Sequence, residues 1–141
     1  MEMLKIVAFK IGEEEYGLDL NQVQSIERIQ HITRVPNAPE FVKGVINLRG
    51  NVTPIIDLPS KLNLGEAQYT DSTRVIITRF EEMELGWIVD ETNDVIDISP
   101  DIIEPASSNV FDSEYFSEIA KYDGRLISLL KLEELMKTSS N

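Results

Sequence analysis

No cysteine occurs in the chain, so neither a disulfide nor a thiolate metal site is available. That composition suits a reducing cytoplasm. Basic residues are scarce: 13 Lys and Arg against 25 Asp and Glu leave a net charge of −12. Nucleic-acid recognition and adhesion to an anionic membrane both need a dense basic face, so neither is expected. Apolar runs extend only a few residues, far short of the roughly 20 that cross a bilayer, so no membrane insertion is expected. Met1-Glu2-Met3-Leu4-Lys5 is not a basic segment followed by an apolar one, so no secretory leader is expected.

Reactive groups are equally sparse. His31 is the single histidine, without a Ser or Cys in a nucleophile context and without companions at zinc spacing. Asp90, Glu91, Asp94 and Asp97 form an acidic run, but the glycine and twelfth-position glutamate of a calcium loop are missing, and a solvated strand end is the simpler reading. Neither G-x-G-x-x-G nor G-x-x-x-x-G-K-[ST] occurs, so no phosphate cradle is visible. The expectation is a protein that is not an enzyme, with no metal and no cofactor.

What the chain does have is residues 41–58, F-V-K-G-V-I-N-L-R-G-N-V-T-P-I-I-D-L. These read as two buried strands joined by a tight turn at Arg49-Gly50-Asn51. Gly44 and Gly50 stand where the backbone needs positive φ or close approach. Pro54 lacks an N–H, which points to an edge strand or a bulge. Arg49, alone at the tip, is either a solvated surface residue or a five-donor fork presented to a partner's carbonyls or carboxylates. Trp87 suits core packing or a contact role.

Around this hairpin, strands are expected at 3–9 and 15–20, then a short helical turn at 22–29 capped by Asn21, on the spacing of Val23, Ile26 and Ile29. A proline-punctuated connection covers 34–40, and 59–62 suits one helical turn. Asp19 and Asp57 end strands and suit turn amides. Residues 63–72 are polar and turn-rich. Strands resume at 74–80, 84–89 and 94–98; 99–118 suits an irregular loop, 125–130 a last strand, and 131–137 a short helix.

The halves echo each other. Tyr16-Gly17-Leu18, with Ile26 nine residues after its glycine, matches Leu85-Gly86-Trp87, with Val95 nine after its own. Gly50-x-Val52-x-Pro54-Ile55 matches Gly124-x-Leu126-x-Ser128-Leu129. A degenerate duplication explains this; chance recurrence of G-x-apolar strands is the competing account. Two units of about 65 residues are each marginal alone, so they are expected to share an apolar seam with a binding groove at its rim.

The 41–58 stretch resembles the signature of the CheW family of bacterial chemotaxis adaptors. E-E-Y-G-L-D-L at 14–20, I-T-R-V-P-N-A-P at 32–39, G-W-I-V-D at 86–90 and G-R-L-I-S-L-L-K-L at 124–132 extend the resemblance over nearly the whole chain. It implies a mainly β fold: two SH3-like five-stranded barrels on a shared hydrophobic seam, with short helices. The expectation is a single domain over 1–141 with sub-barrels near 1–67 and 68–141, strands being free to cross over. The chain has no room for a kinase or receiver domain, so it resembles the free-standing adaptor.

The resemblance further implies a cytoplasmic scaffold, recruited to membrane-associated arrays, that couples chemoreceptor cytoplasmic tips to the regulatory domain of the histidine kinase CheA. It carries receptor contact, or shaping of the groove between barrels, onto Val23, Gly44, Arg49, Gly86 and Val95. Asn51 and Val52 fall near the kinase-facing surface. Ser25 stands where some relatives carry an acid, which leaves a charge contact there open. A small-ligand-binding β-barrel domain is the rival reading, since small barrels host such sites too.

Overall fold

The computed structural model describes residues 3–105 and 116–137. In chain order, β1 (Leu4–Ile11) and β2 (Glu14–Asp19) form a hairpin, and a 3-10 turn at Leu20–Gln22 leads into β3 (Val23–Arg28). The central hairpin follows as β4 (Val42–Leu48) and β5 (Asn51–Asp57), ending in the one-turn helix α1 (Leu58–Lys61). Then come β6 (Arg74–Phe80), β7 (Met83–Val89), β8 (Glu91–Ile98), a 3-10 turn at Pro100–Ile102 and β9 (Ile103–Pro105). The last elements are β10 (Phe116–Tyr122), β11 (Arg125–Leu130) and α2 (Leu132–Met136).

Two sheets carry the fold, ordered β8-β1-β2-β11-β10-β9 and β3-β6-β7-β5-β4. They define two compact units, one holding the described residues up to Gln22 and from Asn93 onward, the other Val23–Thr92. The sub-barrel division expected near 67 is therefore corrected. The polar stretch 63–72 separates the sequence repeats, whereas each unit joins two strands of one repeat to the last strands of the other. The cause is the crossover pairing: β2 pairs in parallel with β11 and β7 with β5, contacts no local pattern encodes.

The duplication is visible in the registers. Ile55 pairs with Gly86, and its counterpart Leu129 pairs with Gly17. Register shifts fall at matching places, between Val42 and Gly44 on β4 and between Phe116 and Glu118 on β10. Both strand glycines make room for core side chains. A Cβ at Gly86 would lie 2.6 Å from Ile55 and 2.8 Å from Val75; one at Gly17 would lie 2.6 Å from Ile6. Each unit has its own apolar centre, Ile6, Ala8, Ile96, Ile98 and Ile127 in one, Ile46, Ile55, Val75, Ile77 and Ile88 in the other.

Residues 22–29 do not form the expected helical turn. Val23–Arg28 is a strand against β6 whose burial alternates residue by residue, with Ile26 facing out. Three apolar residues at spacing three mimicked a helix, but Asp19, not Asn21, secures the preceding turn by accepting from the Asn21 N–H (2.9 Å). Pro54 likewise lies in an interior strand, not an edge. Its parallel ladder with β7 covers only Ile55 to Asp57, so the missing N–H falls just outside that ladder. The expected 99–118 loop contains β9 and the start of β10; its part over 106–115 lies outside the described residues.

The expectations for Asp57 and Trp87 hold. Asp57 is fully buried and caps α1, accepting from the Ser60 N–H (3.2 Å), and it also accepts from the Ala67 N–H (3.1 Å). Trp87 is core: it is fully buried and its indole N–H donates to the Thr78 hydroxyl at 2.8 Å. No helix among the described residues is long and apolar enough to cross a membrane.

Candidate functional site

The β4–β5 hairpin turns through Arg49 (φ 52°) and Gly50 (φ 86°), with Leu48 paired to Asn51. Two successive positive-φ residues match the right-handed twist of the flanking strands. The Asn47 side chain accepts from the Gly50 N–H at 3.1 Å and steadies the loop. Arg49 thus rises from a rigid tip, its side chain 68% exposed, and its guanidinium donates to Glu27 at 3.2 Å. Glu27 sits on β3, at the far end of the sheet order from β4, so this pair shows the sheet curling onto itself.

The other expected site residues divide by position. Gly44, Ile55 and Gly86 lie in one row across β4, β5 and β7, and Ile77 and Ser25 continue that row across β6 and β3. Gly44 and Gly86 are buried and offer no side chain, so they shape the sheet and do not touch a partner through one. Val23 is half-buried at the start of β3. Asn51 and Val52 are exposed beside Arg49, Val52 at 66%. These residues share one unit, whereas Val95, 55% exposed on β8, belongs to the other.

Several polar contacts escaped the sequence reading. In the first unit Arg125 grips Glu15 with two hydrogen bonds, from Nε (3.0 Å) and Nη2 (2.8 Å), and reaches Asp94 at 3.1 Å. Asn93 also donates to Glu15, at 2.7 Å. In the second unit Thr53 donates to Glu84 at 2.8 Å, with Arg79 at 4.0 Å. The 69-residue offset that aligns the glycines also aligns Glu15 with Glu84, which is the signal the sequence carries.

The Arg125 hydrogen bonds hold the Glu15 carboxyl below its ordinary value of 4.5, with help from Asn93 and against the effect of burial. A depressed folded value adds stability above the unfolded value, and that stability is lost as pH falls through the folded one. Glu15→Gln is therefore expected to be less stable than the parent at neutral pH, with the gap closing below about pH 4.5. Urea midpoints at pH 7 and pH 3 check this; a gap unchanged at pH 3 contradicts it.

The second unit also has a cleft of about 640 Å³ lined by Ile29, Ile32, Arg34, Val35, Lys43 and Tyr69, among others. Lys43 donates to Glu66 at 2.6 Å across its lip, and that hydrogen bond pushes the Lys43 ammonium up. No group of three or more His, Cys, Asp or Glu suited to a metal occurs among the described residues, and His31 is exposed. The geometry on these residues offers shaped surface.

Comparison with known proteins gives a consistent result. A family model described as the CheW-like domain matches residues 5–140. The chain is 42% identical over 139 residues to the chemotaxis protein CheW of Bacillus subtilis (strain 168), covering 97% of this chain and 89% of that protein. It is 35% identical over 136 residues to the chemotaxis protein CheW of Klebsiella aerogenes, covering 95% and 82%. The crystal structure of the scaffolding protein TtCheW from Thermoanaerobacter tengcongensis superposes with a TM-score of 0.90 at 36% identity, covering 99% of this chain and 96% of that one. The mainly β architecture of two SH3-like barrels with short helices follows the resemblance.

Proposed function

The chain belongs to the CheW-like family, and from that premise we propose that it is a non-enzymatic chemotaxis adaptor holding chemoreceptor tips and the kinase CheA in one complex. The observation that carries this reading is the exposed Arg49 on a hairpin tip whose backbone is fixed on both sides. A rigid element presenting one guanidinium suits the orientation of a helical partner by its carboxylates or carbonyls. Receptor contact is assigned to Val23, Arg49 and Val95, with Gly44 and Gly86 setting the surface from beneath. Asn51 and Val52 are assigned to the kinase's regulatory domain.

The mechanism is one of coupled equilibria. An adaptor bound to both proteins transmits a small receptor displacement by stabilising one kinase arrangement over another, with no covalent step. It works in the cytoplasm, reaching membrane-associated arrays through the receptors. Co-sedimentation with receptor fragments and kinase, separately and together, is the test: the chain is expected in the pellet with receptor alone and to increase the kinase pelleted. Failure to pellet with receptor would sink the proposal. The cleft favours the rival ligand-binding reading, for which a saturable thermal shift with a single metabolite is the expected sign.

A further inference from the structure

We propose that the surface around Glu84 is an arginine receptor, taking the guanidinium of the kinase partner at the place that Arg125 fills in the other unit. This rests on the kinase contact assigned above and supplies its chemistry. An offset of 69 residues carries Lys10 and Glu15 onto Arg79 and Glu84, and both pairs sit opposite each other in the same antiparallel register. The same offset carries Gln24 and Ser25 onto Asn93 and Asp94, and an offset of 74 carries Asn51 onto Arg125.

The two cradles are built alike. Glu15 and Glu84 are both largely covered, their side chains 11% and 16% exposed. Asn93 donates its amide nitrogen to Glu15; Gln24, with its nitrogen toward Glu84, accepts from Arg79 Nε at 2.8 Å. They differ in the occupant. Arg125 fills the first cradle, bidentate on Glu15 and reaching Asp94. In the second, the neutral, exposed Asn51 stands in its place, and among the described residues Glu84 keeps Thr53 and Gln24 as close donors, with Arg79 at 4.0 Å.

Ser25, at the Asp94 position, is the second sign of an absent guest. Its Oγ is buried and has no hydrogen-bond partner among the described residues. A buried hydroxyl without a partner costs free energy that an incoming N–H donor recovers. A covered carboxylate at the Glu15 position and an unpaired hydroxyl at the Asp94 position match the two acceptors that Arg125 uses in the other unit; a guanidinium has planar donors for both, whereas an ammonium is a point charge without that reach. Val52, 66% exposed beside Asn51, adds apolar surface for the arginine's stem. The net charge of −12 favours approach of a basic patch.

The experiment uses the full chain with purified kinase regulatory domain, measuring affinity and melting temperature together. Asn51→Arg is expected to fill the cradle from within: melting rises by about 2–4 °C, the gain vanishes in the Glu84→Gln background, and kinase affinity falls on the order of thirtyfold. Glu84→Gln alone is expected to weaken the kinase comparably and to leave receptor binding unchanged. Absence of the Glu84-dependent melting gain, or kinase affinity untouched by both variants, overturns the proposal. If the unmodified chain fails to bind kinase, the adaptor reading falls and takes this partner with it. The melting cycle then still reports whether the cradle itself takes a guanidinium.

Discussion

Gly44→Ala is expected to be the most damaging single-atom change in the molecule, lowering the melting temperature by roughly 10–20 °C. Gly44 adopts φ 144°, where a side chain is strained regardless of its surroundings. A Cβ there would lie 2.1 Å from the Thr33 carbonyl oxygen and 2.7 Å from its carbon, both backbone atoms that no rotamer change moves. Thr33 is held against β4 by two hydrogen bonds with Val45, each of 2.9 Å, so relief of the clash breaks both. Backbone strain of about 1–3 kcal/mol and two lost hydrogen bonds of about 1 kcal/mol each sum to about 3–5 kcal/mol. That is a large part of the roughly 5–15 kcal/mol that ordinarily separates folded from unfolded. Gly50→Ala is the control, because φ is positive (86°) but nothing lies within 4 Å of the added carbon, so only a strain cost of about 1 kcal/mol remains. Thermal melts of the two variants decide it: similar losses would mean that conformation alone, and not the Thr33 contact, sets the cost at Gly44.

That contact also marks the limit of what the sequence revealed. The hairpin at 41–58, its Arg-Gly turn and the one-turn helix after it were legible because alternation, positive-φ residues and an Asp-Leu-Pro start are local signals. β3 looks helical in sequence because Val23, Ile26 and Ile29 satisfy helical spacing, while two of the strand's three half-buried residues, Ser25 and Glu27, are polar. The unit boundary was misplaced for a different reason: the repeats exchange strands, and the parallel pairings of Gly17 with Leu129 and Ile55 with Gly86 join residues far apart in sequence. Arg49 could be singled out, but not its partner Glu27, nor the likeness of the Glu15 and Glu84 surroundings. Those are facts about neighbours across a sheet, which become visible only when the offsets that align glycines are applied to the polar residues between them.

Arg49→Ala is expected to weaken receptor recruitment roughly a hundredfold while leaving the fold intact. If the receptor contact is micromolar, about −8 kcal/mol, a central arginine of about 2–3 kcal/mol accounts for that factor. The fold is spared for two reasons. The Arg49–Glu27 pair is a 3.2 Å contact at the surface, its arginine 68% exposed, and such pairs contribute at most about 1 kcal/mol. The φ of 52° at Arg49 is borne by alanine about as well as by arginine, so no new backbone strain enters. Glu27→Gln separates orientation from charge: it leaves the guanidinium but releases its tether, and a severalfold loss is expected if Glu27 pre-aims Arg49 toward the receptor. Co-sedimentation of receptor fragments with each variant, alongside thermal melts, reads both effects. A folded Arg49→Ala chain that still pellets with receptor at the parent's affinity removes Arg49 from the contact. A Glu27→Gln chain that binds like the parent shows that the arginine orients on arrival and is not held ready beforehand.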